Sequence, residues 1–163
     1  MKSGILKKFD HRLNLFLKWG SIGCLITLLF FVAAGVFVRF VPISSLGWAD
    51  EIIEMAFAWM VFLGATALWR DRSHFHVDVF PEKLAGSKVG LVLEIFLSVL
   101  AFIFLLIFTY EGGILSIRAT DRSPILENTR TFFYMVMPIS GAIMIGYTVR
   151  DLWLLFFRKS SLK

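Results

Sequence analysis

The stretch VGLVLEIFLSVLAFIFLLIFTY, residues 89–110, contains a single charged residue, Glu94, near its start. A helix needs about 20 apolar residues to cross about 30 Å of hydrocarbon, because it rises roughly 1.5 Å per residue. The stretch has this length, and it lacks the alternation of apolar and polar residues that membrane-spanning strands show. It therefore predicts a transmembrane helix.

Three other stretches have the same character. The sequence predicts an all-α membrane protein with four transmembrane helices at about residues 18–40, 48–69, 89–110 and 131–150, and with residues 1–163 forming one membrane domain. The 163 residues are 58% hydrophobic and 18% charged, whereas about a quarter of the residues of a soluble protein are charged. A cleaved signal peptide is disfavoured, because its apolar core would be shorter, about 7–15 residues.

Basic residues predict the orientation. All but four of the 17 Lys and Arg residues precede the first helix, lie between the second and third, or follow the fourth. Cytoplasmic loops carry such an excess. Both termini and loop 70–88 are therefore expected in the cytoplasm, and loops 41–47 and 111–130 in the periplasm. The net charge of +5 is thus an orientation signal and does not indicate a nucleic-acid partner.

The segment before the first helix, ILKKFDHRLNLFLKW, has apolar residues at helical spacing. This pattern is typical of an amphipathic helix that lies on the membrane surface and contacts lipid headgroups. A plain extension of the first transmembrane helix explains it equally well.

Few residues have the character of a chemical site. His74, His76 and Asp78 lie close together in a loop, but a metal site generally needs three or four ligands in the correct geometry. No predicted helix contains a histidine, which excludes a haem anchor. Glu54 and Glu94 are the only ionisable residues in the apolar spans, and both lie near a helix end, where water or an arginine is within reach.

Transporters usually place polar groups at mid-membrane depth, often on broken helices. This sequence has no charged residue near a helix midpoint, and Pro138 is expected to bend the fourth helix and not to open a site. The small-residue pairs Ala142/Gly146 and Gly86/Gly90 are weak packing signals. A chain with no catalytic or transport centre of its own is expected to support a larger partner.

The stretch WADEIIEMAFAWMVFLGATALWRDRSHFHVDVFPEKL resembles the second helix and following loop of the small membrane subunit of TRAP (tripartite ATP-independent periplasmic) transporters. Tyr134 followed by Pro138 resembles the fourth helix of that family, and the second histidine, His76, departs from the pattern. The matching positions in the stretch are Trp48, Asp50, Glu51, Leu63, Gly64, Arg70, His74 and Asp78.

The resemblance implies a non-catalytic scaffold subunit in the bacterial inner membrane. It implies a large multi-helix partner that binds sodium and an organic acid and moves as an elevator, and a periplasmic binding protein that delivers the acid. No cofactor is expected on this chain. The sequence does not say which acid is carried, such as sialic acid or a C4-dicarboxylate. A membrane anchor or assembly subunit of another complex, such as a different tripartite carrier or a membrane enzyme, is the alternative.

Roles follow for the matched residues. Trp48, Asp50 and Glu51 are expected to anchor the outer end of the second helix, where acids interact favourably with the helix dipole. Gly64 is expected to allow close approach of a neighbouring helix. Arg70, His74 and Asp78 are expected to form a hydrogen-bonded set that supports assembly with the large subunit. The candidates for docking the binding protein are Arg39, Arg118, Arg122 and Arg130, through charge complementarity.

Overall fold

The computed structural model describes residues 2–40, 47–71, 88–119 and 130–160. These residues form helices α1 (Lys2–Phe40), α2 (Gly47–Arg70), α3 (Lys88–Arg118), α4 (Thr131–Tyr134) and α5 (Val136–Ser160). The described ranges contain no strand, so the prediction of an all-α fold is confirmed for them.

Four segments are long and apolar enough to cross a membrane: Asp10–Phe40, Gly47–Arg70, Val92–Arg118 and Thr131–Leu155. The fourth combines α4 and α5. The prediction of four spanning helices is therefore confirmed. The cytoplasmic position of the termini and the sides assigned to the loops stay predictions.

Three helices are longer than predicted. Residues 2–17 continue the first spanning helix without a break, since α1 begins at Lys2. α3 continues past residue 110 to Arg118, and α5 continues past residue 150 to Ser160. Hydropathy marks where an apolar run ends, whereas backbone hydrogen bonds of a helix continue through polar residues.

Pro138 lies in the first turn of α5, just after the interruption at Met135 that separates α4 from α5. A proline has no N–H, so the helical bond to the carbonyl of Tyr134 is absent. Met135 nevertheless keeps helical angles, with φ −57° and ψ −27°, and its N–H donates to the Thr131 carbonyl at 2.9 Å. The proline thus interrupts the hydrogen bonds of the span at one point without ending it.

The helices pack in a chain of neighbours. α2 packs against α1 and α5, and α5 packs against α3. Phe31, late in α1, contacts Trp48, early in α2, with ring centroids 5.6 Å apart. Asp10, early in α1, bonds Arg70, the last residue of α2. Successive spans therefore run in opposite directions, as a multi-pass membrane protein requires.

The hydrophobic core is small. Leu17, Leu63 and Ala67 form its buried cluster, where α1 crosses α2. Most large apolar side chains lie on the outside instead; Phe30 is 65% exposed and Phe104 is 63% exposed. The fold thus presents its apolar surface to its surroundings, as a membrane protein does.

Close contact between α3 and α5 depends on two glycines. A Cβ atom added at Gly112 would lie 2.9 Å from the Cβ of Met137, and one added at Gly141 would overlap the hydroxyl of Thr109. Ala142 and Gly146, the pair noted in the sequence, are exposed, and a Cβ added at Gly146 would have no neighbour within 4 Å.

Candidate functional site at the end of the second helix

A polar cluster joins α1 to the end of α2. The Nε of Arg70 donates to Asp10 Oδ1 at 3.0 Å, and its Nη2 donates to Asp10 Oδ2 at 2.6 Å. The two side chains are 22% and 31% exposed, so the pair is partly shielded from solvent. Two parallel bonds between a guanidinium and a carboxylate define direction as well as distance. The pair therefore aligns α1 with α2 at this end.

The same carboxylate reaches α5. The hydroxyl of Tyr147 donates to Asp10 Oδ1 at 2.9 Å, and Tyr147 itself is buried. The guanidinium of Arg150 lies 5.0 Å from the centre of the Tyr147 ring, within the range of a cation–π interaction. Asp10 thus accepts hydrogen bonds from two helices at once, and three helices meet at one carboxylate.

Tryptophans supply two more ties between α2 and the fourth span. The indole N–H of Trp69 donates to Thr148 Oγ1 at 3.0 Å, and that of Trp59 donates to the carbonyl of Phe132 at 3.1 Å. The two bonds lie ten residues apart on α2, so they hold the two spans together along much of their length.

The sequence assigned different partners to Arg70. His74 and Asp78, with His76, lie outside the described residues, so the expected set stays a prediction. Asp10 and Tyr147 were missed, because they lie far from Arg70 in the chain. A signal existed for one of them: Asp10 is the only acidic residue before Asp50, in a segment otherwise rich in basic residues.

The residues expected to anchor α2 lie at its other end. The Trp48 ring packs edge-on against Phe31. Asp50 is exposed in the first turn of α2, and Glu51 is half-buried. A carboxylate in the first turn faces the positive end of the helix dipole. This geometry suits the expected anchoring role of the three residues, and that role stays a prediction.

Gly64 lies where α1 crosses α2. A Cβ added there would lie 3.2 Å from Ser21 Oγ, and Ser21 donates a hydrogen bond to the carbonyl of Met60 at 3.1 Å. The close neighbour is thus a helix of this same chain. Contact between Gly64 and another subunit stays a prediction.

Three of the four arginines expected to dock a binding protein are described. Arg39, Arg118 and Arg130 are exposed and lie at the end of the molecule opposite the Asp10–Arg70 cluster. Arg122 lies outside the described residues. Their shared position suits a docking surface, and their role stays a prediction.

The cluster holds no group of three potential metal ligands, and neither does any other site in the part of the chain that the structure describes. Its charges satisfy one another, which suits a mechanical role in joining helices. The first conclusion from fold and site is a multi-pass membrane protein whose spans are tied by polar contacts along α2 and at its Arg70 end.

Comparison with protein families identifies the family to which this membrane protein belongs. Residues 28–158 match the family described as tripartite ATP-independent periplasmic transporters, DctQ component. The match covers most of the chain, so this protein belongs to the family of small membrane components of TRAP transporters, as the resemblance indicated. Comparison with curated proteins gave no match.

Replacing Tyr147 by phenylalanine is expected to lower stability by about 1 kcal/mol, because it removes one hydrogen bond to the Asp10 carboxylate. Thermal unfolding of the purified protein in detergent measures the change. Tyr110→Phe is the matched control, since Tyr110 is 67% exposed. Equal melting temperatures for the two variants would contradict a stabilising role for the Tyr147 hydroxyl.

Proposed function

We propose that this chain is the non-catalytic scaffold subunit of a sodium-coupled, binding-protein-dependent transporter that imports an organic acid. It supports a large elevator-type membrane subunit, which binds sodium and the acid, and it helps to dock a periplasmic binding protein. The complex lies in the bacterial inner membrane. Membership of the DctQ family carries the proposal, and two structural features support it.

The first feature is the exposure of the outer helices. In α1, no residue of the most apolar part is buried within the chain. In α3, 6% of the most apolar part is buried. Helices that bury so little of their surface within the chain have large areas available for a partner helix. This arrangement suits a subunit that is completed by a larger neighbour.

The second feature is the chemistry of the interior. Buried polar side chains among the described residues are hydroxyls only: Thr66, Ser98, Ser116, Ser140 and Thr148. The carboxylates Glu54 and Glu94 are exposed. Binding of an organic acid calls for cationic or amide donors, and binding of sodium calls for several converging oxygens. The fully buried polar side chains of the described residues supply no cation or amide for an organic acid, which favours an acid-binding site on the partner.

Co-purification and reconstitution test the proposal. The tagged chain is expected to retain the large TRAP membrane subunit in detergent. In proteoliposomes, uptake of a carboxylate is expected only when the chain, the large subunit and the binding protein are present with an inward sodium gradient. Carboxylate uptake by liposomes that contain this chain alone would refute the scaffold assignment.

Charge reversal at Arg118 and Arg130 is expected to weaken docking of the binding protein. Opposite charges speed encounter at low ionic strength, so the KM for the loaded binding protein is expected to rise about tenfold there, and by less at high salt. Uptake measured at two salt concentrations checks this. Arg12→Glu, an exposed site at the opposite end, is the control, and equal salt dependence in both variants would contradict the docking role.

A further inference from the structure

Hydrogen bonds from two directions converge on the start of α4. The hydroxyl of Thr131 donates to the carbonyl of Ala119, just after the end of α3, at 3.1 Å. The indole N–H of Trp59, on α2, donates to the carbonyl of Phe132 at 3.1 Å. Ser116, on α3, adds a longer contact from its hydroxyl to the carbonyl of Thr131, at 3.4 Å. The first two residues of α4 are therefore bonded to both α2 and the end of α3.

α4 depends on this support because it is short. It contains four residues, about one helical turn, and so short a helix is not stable by itself. Its connection to α5 lacks one helical hydrogen bond, since Pro138 has no N–H to donate to the carbonyl of Tyr134. The position of Arg130, the residue before α4, therefore depends on the bonds to α2 and α3 as well as on α5.

Two arginines adjoin these bonds. Arg118 is the last residue of α3 and precedes Ala119, whereas Arg130 precedes Thr131. Since a hydrogen bond joins Ala119 to Thr131, the two arginines leave the bundle at neighbouring positions. Both are exposed, and neither forms a salt bridge within the described residues. The ends of α3 and α4 thus present a pair of cationic side chains.

Two neighbouring guanidinium groups suit a partner that carries carboxylates. Each guanidinium has a planar set of donors that can bond both oxygens of one carboxylate. Such bonds depend on direction as well as on distance. The affinity for a carboxylate surface therefore depends on how the arginines are placed as well as on their charge. A change that moves one arginine relative to the other is expected to weaken binding even when both charges remain.

We propose that Thr131 and Trp59 are positioning residues for docking of the periplasmic binding protein. Their hydrogen bonds to neighbouring parts of the bundle hold Arg130 beside Arg118, and the arginine pair bonds carboxylates on the surface of that protein. The inference rests on the proposed function. It adds the chemistry of the partner surface and the two residues that act on docking through the arginines.

Removal of the Thr131 hydroxyl tests the proposal in the complete transporter. Thr131→Val keeps the side-chain volume and both arginines, and it is expected to raise the KM for the loaded binding protein about fivefold, a typical contribution of one hydrogen bond. The kcat is expected to stay within about twofold of wild type, because saturating binding protein compensates for weaker docking. Thr131→Ser keeps the hydroxyl and is expected to restore the KM. Thr27→Val is the matched control, because the Thr27 hydroxyl donates within its own helix, to the carbonyl of Gly23.

The indole bond gives a second test. Trp59→Phe removes the donor to Phe132 but keeps an aromatic ring, and its KM is expected to rise by a similar factor. Trp69→Phe is the matched control, because it removes a bond of the same kind between α2 and the fourth span, at Thr148, close to the other end of α2. The melting temperatures of both variants are expected to fall, whereas the KM of Trp69→Phe is expected to stay near wild type. Equal KM values for the two variants would refute a positioning role for Trp59.

Salt dependence separates placement of the arginines from loss of their charge. Thr131→Val and Trp59→Phe keep every charge, so long-range steering is unchanged, and their KM is expected to rise by the same factor at low and at high salt. A wild-type KM in the folded Thr131→Val protein would overturn the positioning role. A wild-type KM after charge reversal of Arg118 and Arg130 would instead refute the docking role in the proposed function. The two inferences can therefore fail separately.

Discussion

Gly141→Ala is expected to lower the stability of the protein, although alanine favours helices over glycine by about 1 kcal/mol. The new methyl group would overlap the hydroxyl of Thr109 on α3, and Phe108 lies next to it. Overpacking of a closed contact typically costs about 1–3 kcal/mol. The penalty exceeds the gain in helix propensity, so the melting temperature in detergent is expected to fall.

Gly146→Ala is the matched control. It changes the same residue type in the same helix, but a Cβ there has no neighbour within 4 Å, so only the favourable helix propensity remains. The melting temperature of this variant is expected to rise slightly. Adding Thr109→Ala to Gly141→Ala is expected to restore part of the loss, because it removes the overlapping hydroxyl. A Gly141→Ala protein as stable as Gly146→Ala would contradict the packing.

Arg70→Ala is also expected to lower stability strongly. It removes both bonds to Asp10 and leaves that carboxylate with Tyr147 as its remaining donor among the described residues. Hydrogen bonds to charged groups contribute about 1.5–3 kcal/mol. α1 is then held to α2 mainly by its small apolar core. Lower thermal stability and reduced recovery of the large subunit are expected, measured by detergent melting and co-purification.

Arg70→Lys is expected to lie between wild type and alanine, because lysine keeps the charge but loses the planar fork that bonds both carboxylate oxygens. Lys18→Ala is the control for a lost cation at the same end. The Lys18 ammonium lies 3.8 Å from Asp71, and its side chain is 53% exposed. Exposed pairs of this kind contribute about 0–1 kcal/mol. Indistinguishable results for Arg70→Ala and Lys18→Ala would remove the cluster as a structural tie.

Sequence reasoning succeeded for features that a single segment of the chain determines. Apolar runs of spanning length predicted the four helices, and the pattern from Trp48 to Asp78 indicated the family. It succeeded less well at helix ends, since α3 extends to Arg118 through residues too polar for an apolar run. It also identified Arg70 as important but missed two contacts of Asp10: its pair with Arg70, 60 residues away, and its hydrogen bond from Tyr147, 137 residues away.

The sequence by itself determined that this chain has four helices long and apolar enough to cross a membrane. In hydrocarbon, the backbone hydrogen bonds of a segment must be formed within the protein. A long apolar run therefore forms a helix, in which these bonds lie within the segment and do not depend on its neighbours. Only the tertiary structure decided which face of each helix meets a neighbour. Lipid is as apolar as a leucine side chain, so hydrophobicity does not distinguish buried Gly141 from exposed Gly146 on the same helix.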